Sequence, residues 1–292
     1  MMIQNPVLRR IAGVIWAAIA AWIIALFLQA IWSALILANL RTTPAIPWAA
    51  PAILVMVWLA WQYLAGNGPP ASTSEYRRRH LRARPIAMPV FLWSLLAGAL
   101  SIAALAGCWI AMARIVRMPG SGLLEMSAYP ALTVSVLIFT GSLVGPFMEQ
   151  AGFWGYGQVI LEDHFRPWTA IIILSIMFGF GPHPPPGSVL WPRFMFYFLA
   201  SVSFGLLAFY TRSIRPGLVT HIGADLVFFT LIWPHDSTRP LIAETGLDLS
   251  FCLSIALAIG FGLLAGLSFR RLAHHKSASE KVKLQGNLTQ YR

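Results

Sequence analysis

The chain has 292 residues, 58% of them apolar and only 11% charged, with a mean hydropathy of +0.69. Soluble domains carry about 25% charged residues, so this composition places the chain in a membrane. Its net charge of +11 comes from short Lys and Arg clusters between apolar runs, a topogenic pattern and not the basic face of a nucleic-acid binder.

In chain order, MMIQNPVLRR leads into an apolar run longer than the ~7–15 residues of a signal-peptide core. No small-residue cleavage site stands out, so it reads as a retained first helix. A spanning helix needs about 20 mainly apolar residues. Eight segments qualify: 11–39, 46–66, 87–113, 130–148, 167–182, 192–211, 216–233 and 249–270. The expected fold is an all-α polytopic bundle of about eight membrane helices. Residues 1–128 supply the N-terminal helices with a basic loop at 66–86. Residues 129–235 form a core that carries the chemistry, and 236–292 the last helix and a basic tail. The polar stretch 66–85 and the tail after 270 are expected to be mobile or to lie at the membrane surface. Alternate loops hold 16 and 5 of the 21 Lys and Arg, which predicts both termini on the cytoplasmic side.

Cys108 and Cys252 lie inside apolar runs, where a thiol behaves as a small hydrophobe. They provide neither a disulfide framework nor a zinc cluster. Pro and Gly concentrate in the second half, in GPF at 145, GPHPPPG at 181–187 and RPG at 215. Irregular backbone at membrane depth needs protein cover or a wet cavity, so a polar pocket is expected there. The first three segments have no ionisable residue in their interiors.

Four ionisable residues lie in or beside the later segments: Glu149, His183, His221 and Asp225. Each costs about 2.5–3.5 kcal/mol to insert and is a functional hypothesis by default. Structural readings stand beside that one. Glu149 could cap a helix N-terminus, His183 could end a helix at the far interface, and His221 with Asp225, four residues apart on one helix face, could satisfy each other. Together the four could activate water or bind a metal. There is no HExxH motif, and the spacing gives no dedicated support for zinc, so no metal or other cofactor is favoured. His164, His235 and the His274–His275 pair are assigned solvated roles, and Glu162, Asp163 and Arg166 a wet interfacial loop. Gly262 and Gly266 have small-xxx-small spacing, from which no dimer follows.

Read in order, these residues resemble the CAAX prenyl protease and bacteriocin-processing (CPBP, or Abi) family of intramembrane proteases. EQAGFWGY at 149–156 is similar to the family's first motif at Glu149, Gly152, Gly155 and Tyr156, with Gln150 in place of its second glutamate and Trp154 in place of its arginine. MFGFGPHPP carries His183 at the position of the family histidine. GLLAFYTRSIRPGLVTHIGADL at 205–226 is similar throughout to the glycine-rich helix, Thr-Arg-Ser turn and His-x-x-x-Asp run. The resemblance covers about 130–235. It implies an endopeptidase in which Glu149 and His183 activate a water, His221 steadies the oxyanion and Asp225 assists when protonated or by orienting His221. Gln150 and Trp154 would support the pocket, and their exchange removes one charge of each sign together. The implied partners are the lipid bilayer and a hydrophobic or lipidated peptide or membrane protein, with no nucleic acid, in a bacterial cytoplasmic (inner) membrane. Two alternatives remain: a catalytically impaired relative that binds or protects membrane partners, and a small-solute transporter, for which no inverted repeat is visible.

Geometry adds one demand. His183 would lie about 24 Å along a helix starting near 166, so a glutamate at the membrane surface could not meet it. Either the segment after Pro146 dips back into the membrane or the fifth segment is steeply tilted.

Overall fold

The computed structural model describes residues 5–118, 128–181 and 190–289, and their side chains except at 28 and 276–289. Among the described residues there are helices and turns and no strand, the all-α bundle expected. The helices are α1 (Pro6–Thr42), α2 (Ala49–Leu64), α3 (Ser74–Leu81), α4 (Met88–Ile115), α5 (Ala131–Glu149), α6 (Gln158–Glu162), α7 (Pro167–Gly179), α8 (Leu190–Thr211), α9 (Arg215–Val227), α10 (Ile242–Thr245) and α11 (Leu249–Thr289). A π-helical stretch, Gln150–Gly157, joins α5 to α6, and a second, Phe228–Ile232, extends α9 into the 3-10 turn Trp233–Thr238.

Six of these, counting the continuous runs Ala131–Glu162 and Arg215–Thr238 as single helices, are long and apolar enough to cross a membrane. The apolar helices α2 and α7, of 16 and 13 residues, extend only about 24 and 20 Å, short of a ~30 Å hydrocarbon core. Two of the eight expected segments are therefore shorter than a hydrocarbon core. Both are held by the bundle, α2 against α5 and α7 against α8. α4 packs along α11 and also meets α8 and α9, while α1 lies against the π stretch and α5.

Local chemistry explains the turns. Asn5 caps α1 by accepting from the Val7 N–H at 2.9 Å, and Pro6 follows it, where a missing N–H does no harm. At the other end of α1 the buried Asn39 amide donates to the carbonyls of Thr43 (3.1 Å) and Ile46 (2.9 Å) and accepts from Ala49 (2.8 Å). One side chain thus satisfies three backbone groups that a tight turn would otherwise leave unmade.

Of the two expectations for the basic stretch 66–85, mobile or at the membrane surface, the first does not hold: it is folded and docked. Arg77, 4% exposed, donates to the carbonyls of Tyr63 (2.6 Å), Asn67 (3.1 Å), Gly68 (2.8 Å) and Pro70 (3.3 Å) and lies 4.1 Å over the Tyr63 ring. A guanidinium has enough donors to cap the α2 C-terminus and hold the loop at once. His80 stacks on Tyr76 at 3.7 Å and is near Tyr156 of the π stretch. Clustered arginines signal a solvated loop only when no carbonyl array is there to receive them.

Glu162 likewise does not lie in a wet loop. Its side chain is 9% exposed and pairs with Arg82 and, at 3.0 Å, with Arg212, while the Gln158 amide donates to it at 2.9 Å. Both arginines have left-handed backbones, φ 54° and 53°, a conformation that costs about 1–2 kcal/mol for a side-chain-bearing residue. The same junction is stitched by Ile214 N–H to Arg82 C=O (3.0 Å), Ser213 Oγ to Arg84 C=O (2.7 Å) and Arg215 Nε to Ala83 C=O (3.0 Å). His164, expected to be solvated, is half-buried and sits over Gly13 of α1.

Candidate functional site

The segment EQAGFWGY at 149–156 is helical. α5 carries Pro146 in its interior, and a proline there cannot donate to the carbonyl four residues back. The helix does not end; it widens into the π stretch Gln150–Gly157, every residue of which is buried, and continues to Glu162. Such π segments recur at functional sites. The glycines of the motif set its packing. A Cβ on Gly152 would stand 2.5 Å from the Ala21 carbonyl oxygen, and one on Gly155 would stand 3.1 Å from the carbonyls of His80 and Leu81. Only glycine lets α1 and α3 approach this closely.

The continuous run from Ala131 to Glu162 sets the depth of Glu149. Thirteen residues lie between Glu149 and the end of α6, which puts the glutamate about 20 Å from that end. It therefore stands well inside the run and not at its end. Phe178 of α7 lines the same cavity as Glu149. His183 itself lies outside the described residues.

Glu149, His221 and Asp225 meet around one cavity of about 270 Å³. His221 Nε2 is 3.7 Å from Glu149 Oε2 and 3.7 Å from Asp225 Oδ1, with the three side chains 9%, 15% and 22% exposed. These spacings exceed a direct hydrogen bond, so the imidazole faces both carboxyl groups without being locked to either. Its ring stacks on Phe204 at 4.4 Å and 24°, and Trp154 meets it edge-on at 6.0 Å. The aromatic pair fixes the plane of the ring.

The two departures from the family pattern also contact this imidazole. The Gln150 amide nitrogen lies 3.4 Å from His221 Nδ1. With that nitrogen donating, the ring proton resides on Nε2, aimed between the two carboxyl groups. The Gln150 amide oxygen has no hydrogen-bond partner among the described residues and rests over Gly217, where a Cβ would come within 2.6 Å of it. Trp154, 1% exposed, donates from Nε1 to the Ser201 carbonyl at 3.1 Å and is packed by Phe178 and Phe204, each at 5.0 Å. The tryptophan fills apolar volume where an arginine would bring charge.

Several cavity residues are not evident from ionisable groups alone. α1 contributes Gln29, Trp32, Ile36 and Leu40, and Tyr197 and Thr220 come from α8 and α9. Gln29 is a polar residue deep in the first apolar run, and that was the available signal; the apolar residues look like ordinary helix core.

Fold and site together define a polytopic helical membrane protein with an acid–imidazole–acid cluster buried in its bundle. Residues 131–227 match the family model described as Type II CAAX prenyl endopeptidase Rce1-like, in agreement with the resemblance carried by the motifs at 149–156 and 205–226. Comparison with curated proteins and with solved structures gave no match. The matched segment runs from the start of α5 to the end of α9 and contains all three clustered side chains.

Proposed function

We propose that the protein is an intramembrane endopeptidase that hydrolyses a peptide bond in a hydrophobic or membrane-associated substrate, in a bacterial cytoplasmic membrane with both termini on the cytoplasmic side. The observation that carries this reading is the placement of Glu149, His221 and Asp225 around one cavity inside a segment that matches a peptidase family.

Glu149, together with His183, takes a proton from water as its oxygen attacks the scissile carbonyl carbon. The oxyanion that forms accepts a hydrogen bond from His221 Nε2–H, held in place by Gln150 at Nδ1. Asp225 orients His221, or donates as the neutral acid; an ionised carboxylate aimed at the oxyanion would oppose it. Collapse of the tetrahedral intermediate breaks the C–N bond, and the proton held by Glu149 passes to the departing amine. No metal is required by this sequence of steps.

The second reading, a non-catalytic relative that binds or protects membrane partners, is favoured by Gln150 and Trp154 at the motif's two charged positions. Purified protein incubated with a library of apolar peptides, with and without chelator, separates the two. Cleavage lost in Glu149→Ala and His183→Ala supports the peptidase. No cleavage by wild type, with an unchanged cellular phenotype for both variants, selects the non-catalytic reading. Loss of cleavage on chelation would instead call for a metal.

A further inference from the structure

A second cavity, of about 520 Å³, lies beside the docked basic stretch, between α1, α3 and the turn that follows α6. Ser72 just before α3, Glu75 and Arg79 on it, and Asp163 after α6 give it a polar wall, with Trp16 and Tyr76 as aromatic neighbours. No described residue lines both this cavity and the one around Glu149. The peptidase reading therefore makes no use of it.

Its charges are unequal. Arg79 reaches Asp163 at 3.4 Å with both side chains more than half exposed, a pairing worth little that leaves guanidinium donors to spare. Glu75, exposed in the first turn of α3, adds a second carboxylate. Two acids thus share one base in a chain whose net charge is +11. An ammonium group that carries N–H donors fits the two acids, and a phosphate fits the spare Arg79 donors and the Ser72 hydroxyl. A quaternary ammonium has no N–H and is held instead by an aromatic cage. Here one face of the Tyr76 ring is already covered by His80 at 3.7 Å.

The surface beside the pocket decides between a soluble ligand and a lipid. Below Trp16, six residues past Arg10 and itself 52% exposed, Ile19, Ile23 and Phe27 follow at helical spacing and are 43%, 61% and 65% exposed. From Trp16 to Phe27 this face runs about 16 Å, one leaflet of a ~30 Å hydrocarbon core. A polar pocket at the level of an interfacial tryptophan and an apolar stripe one leaflet long together match one phospholipid.

We propose that the pocket binds the phosphoethanolamine headgroup of a single membrane phospholipid, its ammonium at Glu75 and Asp163, its phosphate at Arg79 and Ser72, and an acyl chain along the Trp16–Phe27 face of α1. The headgroup bridges α3 to the turn after α6 and so ties the basic stretch to the end of the run that carries Glu149.

The test is native mass spectrometry of the full chain in detergent, incubated with phosphatidylethanolamine, phosphatidylcholine or phosphatidylglycerol of identical acyl chains. Phosphatidylethanolamine should be retained about 10-fold more than either rival, the worth of one hydrogen bond to a charged group. Glu75→Gln with Asp163→Asn, at exposed positions and with side-chain size kept, should bring it down to the phosphatidylcholine level in a protein that remains monodisperse. Equal retention of the three lipids, a preference for either rival, or full retention by the double variant overturns the proposal. Glycerophosphoethanolamine, the same headgroup without chains, should not compete at the lipid's own concentration. Competition there would make the ligand a soluble one and refute the lipid assignment.

Discussion

The exchange of two motif charges for Gln150 and Trp154 can be reversed, and the geometry states what should follow. Both side chains contact His221, one at Nδ1 and one against the ring edge. Trp154→Arg alone removes a fully buried indole packed by three aromatics and leaves a guanidinium without a partner. Either change by itself costs about 3–5 kcal/mol, so a loss of at least about 3 kcal/mol is expected. Gln150→Glu alone puts a carboxylate at a 0% exposed position beside Glu149, a loss of about 3 kcal/mol or more. With both changes, the new acid and the new base share one face of the π stretch and can pair. The double variant should then be about 2 kcal/mol or more better than the sum of the singles. Thermal retention of the monodisperse peak in detergent measures the four corners of the cycle, with cleavage measured alongside. Additivity within about 0.5 kcal/mol, or a double variant that folds and cleaves no better than either single, would refute the idea that the two replacements compensate.

Other outcomes follow from the same contacts. Glu162→Ala strands the buried Arg82 and should destabilise by about 3 kcal/mol, whereas Arg212→Ala, which removes a half-exposed partner, should cost about 1 kcal/mol or less; comparable losses in thermal retention would contradict the sealed-junction description. Gly217→Ala forces Gln150 off His221 and should lower kcat/KM about 10-fold, the worth of one hydrogen bond; in a Gln150→Ala background it should have no further effect, and an undiminished effect there would refute the steric account. Burial holds the His80 imidazole below its ordinary 6.5, so the docked α3 favours the neutral ring: its stability is complete above about pH 6.5 and declines as pH falls through the lowered value. Hydrogen exchange across 74–81, corrected for intrinsic rates, should accelerate on acidification in wild type and not in His80→Gln.

How much of this was legible in the sequence depends on what kind of signal each feature leaves. Apolar length and the low charge give the membrane bundle directly, and the four-residue spacing of His221 and Asp225 gives their shared face. The end of α5 was not legible, because Pro146 and three glycines signal a break and the helix instead widens and continues. That continuation places Glu149 at the depth of His221, a long-range fact that no local pattern carries. The buried state of Arg77 and Glu162 was hidden for a related reason. A charged residue reads as solvated until its partners, here the α2 carbonyls and two arginines from distant turns, are brought to it by the fold. Trp32, Ile36 and Leu40 read as ordinary helix core, since a cavity wall and a packed interface use the same residue types.

The central claim, that the acid at 149 and the imidazole at 221 act on one substrate as a unit, is tested most directly by a double-variant cycle on kcat/KM with Glu149→Gln and His221→Asn. Groups that work together are strongly non-additive. Each single variant should lose about 100-fold or more, and the pair should be little worse than the more damaged single. Losses that multiply, or a Glu149→Gln protein that still cleaves at the wild-type rate, would contradict the account.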